Sequence, residues 1–198
     1  LRNGDKEQSA IVWSNIAMCQ VRMGRLQSAK TRFENILNNK LQLFNDSYEC
    51  NFYLVGGILF AELGLLNDAE KMLEASNSAG IIFKRDRCRQ FEVSGFVKLM
   101  TGDYNGARES LFEAIKLATE IEKTTTSPLY SQIYRLLGDL HILTIEWKTA
   151  EKYANDALKV AFEINERLEV AACYRILAQV AQHNQDADTS RENYKKAI

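Results

Sequence analysis

Gly64-Leu65-Leu66-Asn67-Asp68-Ala69 is the stretch on which the fold turns, because the chain says it five times. The phrase is a glycine, a large apolar residue, and then a small residue three places on. It first occurs as Gly24-Arg25-Leu26 with Ala29, and again as Gly102-Asp103-Tyr104 with Ala107. A fourth copy, Ile145-Glu146-Trp147 with Ala150, has lost the glycine. A fifth and weaker copy is Gln185-Asp186-Ala187 with Ser190. The closing small residues fall at 29, 69, 107, 150 and 190, so the period is about forty residues, the mark of a helical solenoid. A glycine suits the end of a helix because it tolerates a left-handed backbone. Alanine or glycine is required where two helices cross closely, since a larger side chain forces their axes apart.

Working outward, other positions recur in phase. A large residue near the start of each first helix reads Trp13, Tyr53, Phe91, Tyr134 and Tyr174. A leucine-and-small pair follows as Ile16-Ala17, Gly56-Gly57, Ser94-Gly95, Leu137-Gly138 and Leu177-Ala178. In the second helices, the aromatic position holds Phe33, Leu73, Leu111, Ala154 and Tyr194, and the last small position Ile36, Ser76, Ala114, Ala157 and Ala197. This pattern resembles the tetratricopeptide repeat. The resemblance covers essentially the whole chain and implies an all-α, right-handed superhelical solenoid of about ten helices. It predicts one array over 1–198, with repeats at about 8–45, 46–84, 85–125, 126–166 and 167–198. Two departures from the common 34-residue repeat stand out. The period is longer, and the proline that often ends the second helix is missing. Second helices extended by a turn or more are expected, from Ala107 to about Glu122 and from Ala150 to about Ile164. Long repeats of this sort are similar to those of kinesin light chains, cell-polarity adaptors and bacterial signalling regulators.

The loops agree with this division. Asn45-Asp46-Ser47 can cap the second repeat's first helix. In Thr124-Thr125-Thr126-Ser127-Pro128, Ser127 is placed as an N-cap and Pro128 as the first helical residue. The chain starts at Leu1 without a methionine and ends at Ile198 within an apolar-periodic stretch, which reads as an excised portion of a longer protein.

Composition bounds the function. Of 198 residues 46 % are hydrophobic and 26 % charged, which supports a buried core. With 25 basic against 26 acidic residues, there is no general field to draw nucleic acid or anionic lipid. No apolar run approaches the roughly 20 residues of a membrane span, and no signal-peptide pattern is present. Cys19, Cys50, Cys88 and Cys173 lie far apart without a CxxC pair, and they read as small buried hydrophobes of a cytoplasmic protein.

Residues for catalysis are scarce. The two histidines, His141 and His183, have no acid, cysteine or histidine at a metal-ligand spacing. His141 takes a first-helix position otherwise held by Gln20, Phe60 and Lys98, which favours a structural role. His183, beside Asn184, reads as a polar cap or groove residue. Gly56-Gly57 lies at a helix crossing and lacks the motif and lysine of a phosphate loop. No catalytic residue, cofactor or metal is expected.

The resemblance places a concave face along the first helices. Its expected lining begins with Ile11, Asn15, Met18 and Arg22, then Asn51, Val55, Ile58 and Glu62. It continues with Arg89, Val93, Phe96 and Met100, then Gln132, Arg135, Asp139 and Leu143, and ends with Ala172, Arg175, Gln179 and His183. Arginine offers forked donors to carboxylates, and amides pair with an extended backbone. Arg89, Arg135 and Arg175 are expected to form a spaced row of exposed charges, tempered by Glu92 and Asp139. The basic set with which chaperone-binding repeats grip an acidic tail is absent: its early positions hold Ile11, Asn51, Arg89, Gln132 and Ala172. The expected function is a non-catalytic scaffold for a protein or peptide partner, with no direct contact to nucleic acid or membrane. The competing reading is a regulatory segment of a bacterial transcription regulator or signalling ATPase.

Overall fold

Six turns share one backbone shape, and they set the rhythm of the chain. The residue at their centre is left-handed each time: Gly24, Gly64, Gly102, Ile145, Asn165 and Gln185 have φ between 57° and 84°. After each, the next amide reaches back five residues to a helix carbonyl. Leu65 N donates to Phe60 O at 2.8 Å, Asp103 N to Lys98 O at 2.9 Å, and Glu146 N to His141 O at 2.8 Å. This is the Schellman closure of a helix, which satisfies otherwise orphaned carbonyls. The loss of glycine from the fourth and fifth copies therefore changes the residue and keeps the turn.

The computed structural model describes residues 12, 15–38, 46–80, 83–122 and 126–198. Its helices are α1 (residues 15–22), α2 (Leu26–Asn38), α3 (Asp46–Glu62), α4 (Leu66–Ser78) and α5 (Lys84–Thr101). They continue with α6 (Tyr104–Ile121), α7 (Pro128–Leu143), α8 (Trp147–Glu163), α9 (Arg167–His183) and α10 (Ala187–Lys196). Among the described residues there is no strand. The fold is an all-α helical-repeat solenoid of the tetratricopeptide type. Trp13, Ile11, Asn45 and Thr124–Thr125 lie outside the described residues. The chain divides into two compact units, Leu1–Val93 and Ser94–Ile198, with the division inside α5.

In the first unit, α3 packs on α2 and α4. Phe33 of α2 stacks on Phe52 of α3, with ring centroids 4.2 Å apart, and meets Phe60 edge-on at 5.7 Å. The space for Phe33 exists because Gly56 has no side chain; a Cβ there would collide with the Phe33 ring. Gly57, its neighbour, would meet only ordinary contacts, the nearest being Val93 Cγ1 at 3.6 Å. The tight glycine of this pair is thus the first.

In the second unit, α7 packs on α6, α8 and α9, and α9 on α8 and α10. Gly95 faces Leu111, and Lys98 Nζ lies 3.4 Å from Gly106 O, so α5 and α6 run antiparallel. Gly138 lets Ile176 of α9 sit 3.1 Å from where its Cβ would be. The closing small residues Ala29, Ala69, Ala107 and Ala150 are fully buried and Ser190 is nearly so, as the repeat phase demands. Ile133, Leu136, Leu137, Leu140 and Ile176 are at most 2 % exposed, and burying each contributes about 1.5–3 kcal/mol.

Second helices are long only in part. α6 and α8 have 18 and 17 residues, but α2 and α4 have 13 each. Pro128 is the first residue of α7 and Ser127 stands at its N-cap, yet the Ser127 hydroxyl makes no capping bond. Asp103 and Asp186 do cap, accepting from Gly106 N at 2.9 Å and Thr189 N at 3.0 Å.

Candidate binding surface

The first helices of the second unit bring the expected residues together. Arg135 and Asp139, one turn apart on α7, pair at 3.0 Å. Arg175 of α9 reaches the other oxygen of Asp139 at 2.8 Å, and Arg135 Nε reaches Glu169 Oε2 of α9 at 2.9 Å. The result is one chain of charges, Glu169–Arg135–Asp139–Arg175, stitched across neighbouring first helices. Glu169 carried no signal in the repeat pattern; only its place one turn into α9, opposite Arg135, could have singled it out.

The burial of this chain corrects one expectation. Arg135 was expected as an exposed charge, but its side chain is only 19 % exposed and is held by acids on two sides. Burial works against the guanidinium charge, but Glu169 and Asp139 outweigh it and raise the pKa above the ordinary arginine value. A row of three open guanidinium groups is not what the chain builds. Arg89 is tied to Glu92 at 3.1 Å in the first unit, and only Arg175, with 47 % of its side chain exposed, stands partly open. Ion pairs built into a packed face fix geometry and supply little net attraction.

The other lining residues sort by exposure. Asn15, Arg22, Asn51 and Glu62 are exposed, Phe96 is half-buried, and Met100 and Leu143 present apolar surface at 44 % and 48 % exposure. Val55, Val93 and Gln132 are buried, so they belong to the packing and not to an open face. Gln179 is half-buried, and its Oε1 has no hydrogen-bond partner among the described residues.

The remaining reactive groups are accounted for by packing. His141 is buried and stacked on Tyr153, with ring centroids 5.4 Å apart and planes 5° apart. Its Nδ1 lies 3.2 Å from Glu146 Oε2. Glu146 also accepts from Arg108 at 2.7 Å and Thr144 at 3.1 Å, which holds its carboxyl below the usual carboxylate range. His183 is exposed at the end of α9, and its ring stacks on Trp147 at 4.2 Å. Cys50, Cys88 and Cys173 are buried, whereas Cys19 is exposed, which corrects the expectation that all four are core. Burial pushes the Cys50 thiol up to about 11 and the Cys173 thiol to about 12, far from a working nucleophile. Gly56 and Gly57 are buried within α3. Among the described residues no three His, Cys, Asp or Glu side chains cluster as metal ligands, and no helix is long and apolar enough to cross a membrane.

No family model matches this chain, and no curated protein matches it in sequence. Solved structures do match in shape. BtubC (BKLC) from P. vanneervenii superposes with a TM-score of 0.60 at 15 % identity, over 100 % of this chain and 72 % of that one. PilF of Pseudomonas aeruginosa gives a TM-score of 0.54 at 13 % identity, over 98 % of this chain and 90 % of that one. MamA AMB-1 gives 0.48 at 18 % identity, over 94 % and 95 %. The first two are tetratricopeptide-like helical-repeat structures, and at these identities the likeness is one of fold.

Proposed function

We propose that the chain is a non-catalytic module that binds a protein or peptide along the exposed side of its first helices. The five repeats act together in this reading as one long-repeat array over 1–198. The observation that carries it is the ion chain across α7 and α9. It brings Arg135 and Asp139 of repeat four together with Arg175 of repeat five on one surface and fixes them there. A rigid, charge-balanced surface costs little to organise when a partner arrives, and loss of rotamer freedom is a large part of the cost of binding. Met100 and Leu143 supply apolar contact in the same unit, and Asp139, Arg175 and Gln179 supply polar contact. The partner suited to this mixture is a segment with aliphatic side chains and both donor and acceptor groups.

The reading is tested by selecting displayed random peptides on the chain and measuring their affinity for Met100→Asp with Leu143→Asp. Both residues are exposed, so the variant keeps its helicity and melting temperature. Enriched peptides should lose at least tenfold in affinity. No enrichment, or enriched peptides indifferent to the double variant, would remove the first-helix side from consideration.

A further inference from the structure

The large residue near the start of the first helix meets a cation in two of the repeats. In repeat three the Arg87 guanidinium lies 4.7 Å from the centre of the Phe91 ring. In repeat five the Lys196 ammonium lies 5.4 Å from the centre of the Tyr174 ring. An aromatic face attracts such a charge through its quadrupole. The two cations come from different places. Arg87 stands one turn before Phe91 on α5, whereas Lys196 stands on α10, the second helix of its repeat.

Repeat four has the ring without the cation. Its counterpart of Phe91 and Tyr174 is Tyr134. Tyr130 takes the place of Arg87, and Asp156 takes the place of Lys196. Among the described residues no lysine or arginine lies over the Tyr134 ring. Two tyrosines flank it instead, Tyr130 at 5.7 Å and Tyr153 of α8 at 6.1 Å between ring centroids. Burial raises the pKa of the Tyr134 and Tyr153 phenols, and the neighbouring Asp156 charge raises both further. The Tyr130 hydroxyl donates to Thr119 Oγ1 at 3.3 Å. The hydroxyls of Tyr134 and Tyr153 and the Asp156 carboxylate have no hydrogen bond or ion pair among the described residues. Arg108, whose charge also acts on Tyr153, is held by Glu146 at 2.7 Å. Tyr134 and Tyr153 are half-buried and Asp156 is exposed, so the place is open to solvent. It lies inside the array, because α7 is packed on α6, α8 and α9.

We propose that Tyr134, Tyr153 and Asp156 receive a lysine side chain of another polypeptide, the cation that Lys196 supplies from within the chain in repeat five. Two phenol oxygens and a carboxylate offer acceptors for the three donors of an ammonium. The carboxylate supplies the opposite charge, and the half-buried rings supply the surface along which a lysine stem can lie. The site shares no residue with the first-helix surface that includes Met100 and Leu143, so either reading can fail alone.

The test selects displayed random peptides on the whole chain carrying Met100→Asp with Leu143→Asp, so that the first-helix surface is not what is selected. Enriched peptides should share a lysine, and norleucine in its place should lower affinity at least tenfold. Asp156→Lys in the chain rebuilds the cation of repeat five in place and should lower affinity at least tenfold with helicity unchanged. Glu151→Lys, an equal change of charge at an exposed position of the same helix, should leave affinity within about twofold, because a contact made at short range outweighs a screened field. Three results would overturn the proposal. One is the absence of enriched peptides. Another is enriched peptides that bind as well with norleucine as with lysine. The third is an equal loss with Asp156→Lys and Glu151→Lys, which would reduce the effect to general charge.

Discussion

Ile145 is the residue whose conformation is hardest to hold. It is β-branched, 71 % exposed, and has φ of 63°, a region that favours glycine. Its side chain contributes little contact, while the turn needs only a left-handed residue. Ile145→Gly is therefore expected to stabilise the chain by about 1 kcal/mol, read as a higher urea midpoint at an unchanged slope. A lower midpoint would show that the isoleucine side chain matters more than its strain. His141 gives a prediction with pH. Burial, helped by the Arg108 charge, outweighs Glu146 and holds its pKa below the ordinary 6.5. Between those two values the unfolded chain binds a proton that the folded chain refuses. The stability that neutral His141 supports is thus complete above about pH 6.5 and is lost as pH falls through the folded-state pKa. The loss of stability between pH 7.5 and pH 5 should shrink in His141→Phe; an identical loss would place the sensitive group elsewhere. Arg135 and Arg175 separate in the same way. Arg135→Glu sets three acids together in a largely buried place and should cost about 3 kcal/mol or more. Arg175→Glu, on an exposed end, should cost under about 1 kcal/mol. Equal melting temperatures for the two variants would contradict the ion chain.

At the scale of helices, the adjacent glycines of α3 should behave oppositely. Gly56→Ala gains helix propensity but must push the Phe33 ring from its stack with Phe52, and a net loss of about 1–3 kcal/mol is expected. Gly57→Ala meets its neighbours at ordinary distances and should be neutral or stabilising by up to about 1 kcal/mol. Thermal unfolding of the pair decides the matter, and the reverse order would mean that the crossing point has been misplaced. The element pattern was largely legible in the sequence, because small residues at a crossing and a glycine at a turn leave local marks. Ala107, Ala150 and Gly138 sit where the forty-residue phase put them. The turn at Asn165 was not legible, since it joins two repeats with no glycine and yet closes like the turns within a repeat. The repeat phase put the small member of the pair at Gly57, whereas the close approach falls at Gly56. That choice depends on where the Phe33 ring points, which is set by packing between helices.

At the scale of the whole molecule, the sequence and the structure agree on an all-α repeat fold and differ on how charge is used. A count of 25 basic and 26 acidic residues says that the chain is balanced. It does not say that Arg135, Asp139, Arg175 and Glu169 neutralise one another on one surface, because Glu169 lies 34 residues from Arg135. Met100 and Leu143, by contrast, were expected along the first-helix lining, and they are 44 % and 48 % exposed. A balanced, prearranged surface is the feature on which the proposed binding role rests. The measurement that tests this role most directly is amide chemical-shift mapping of the labelled chain on titration with a selected peptide. The expected perturbations gather at Met100, Asp139, Leu143 and Gln179 and spare Phe112 and Lys159 on the second helices α6 and α8. Perturbations centred on Phe112 and Lys159, or none at saturating peptide, would contradict a binding surface on the first helices.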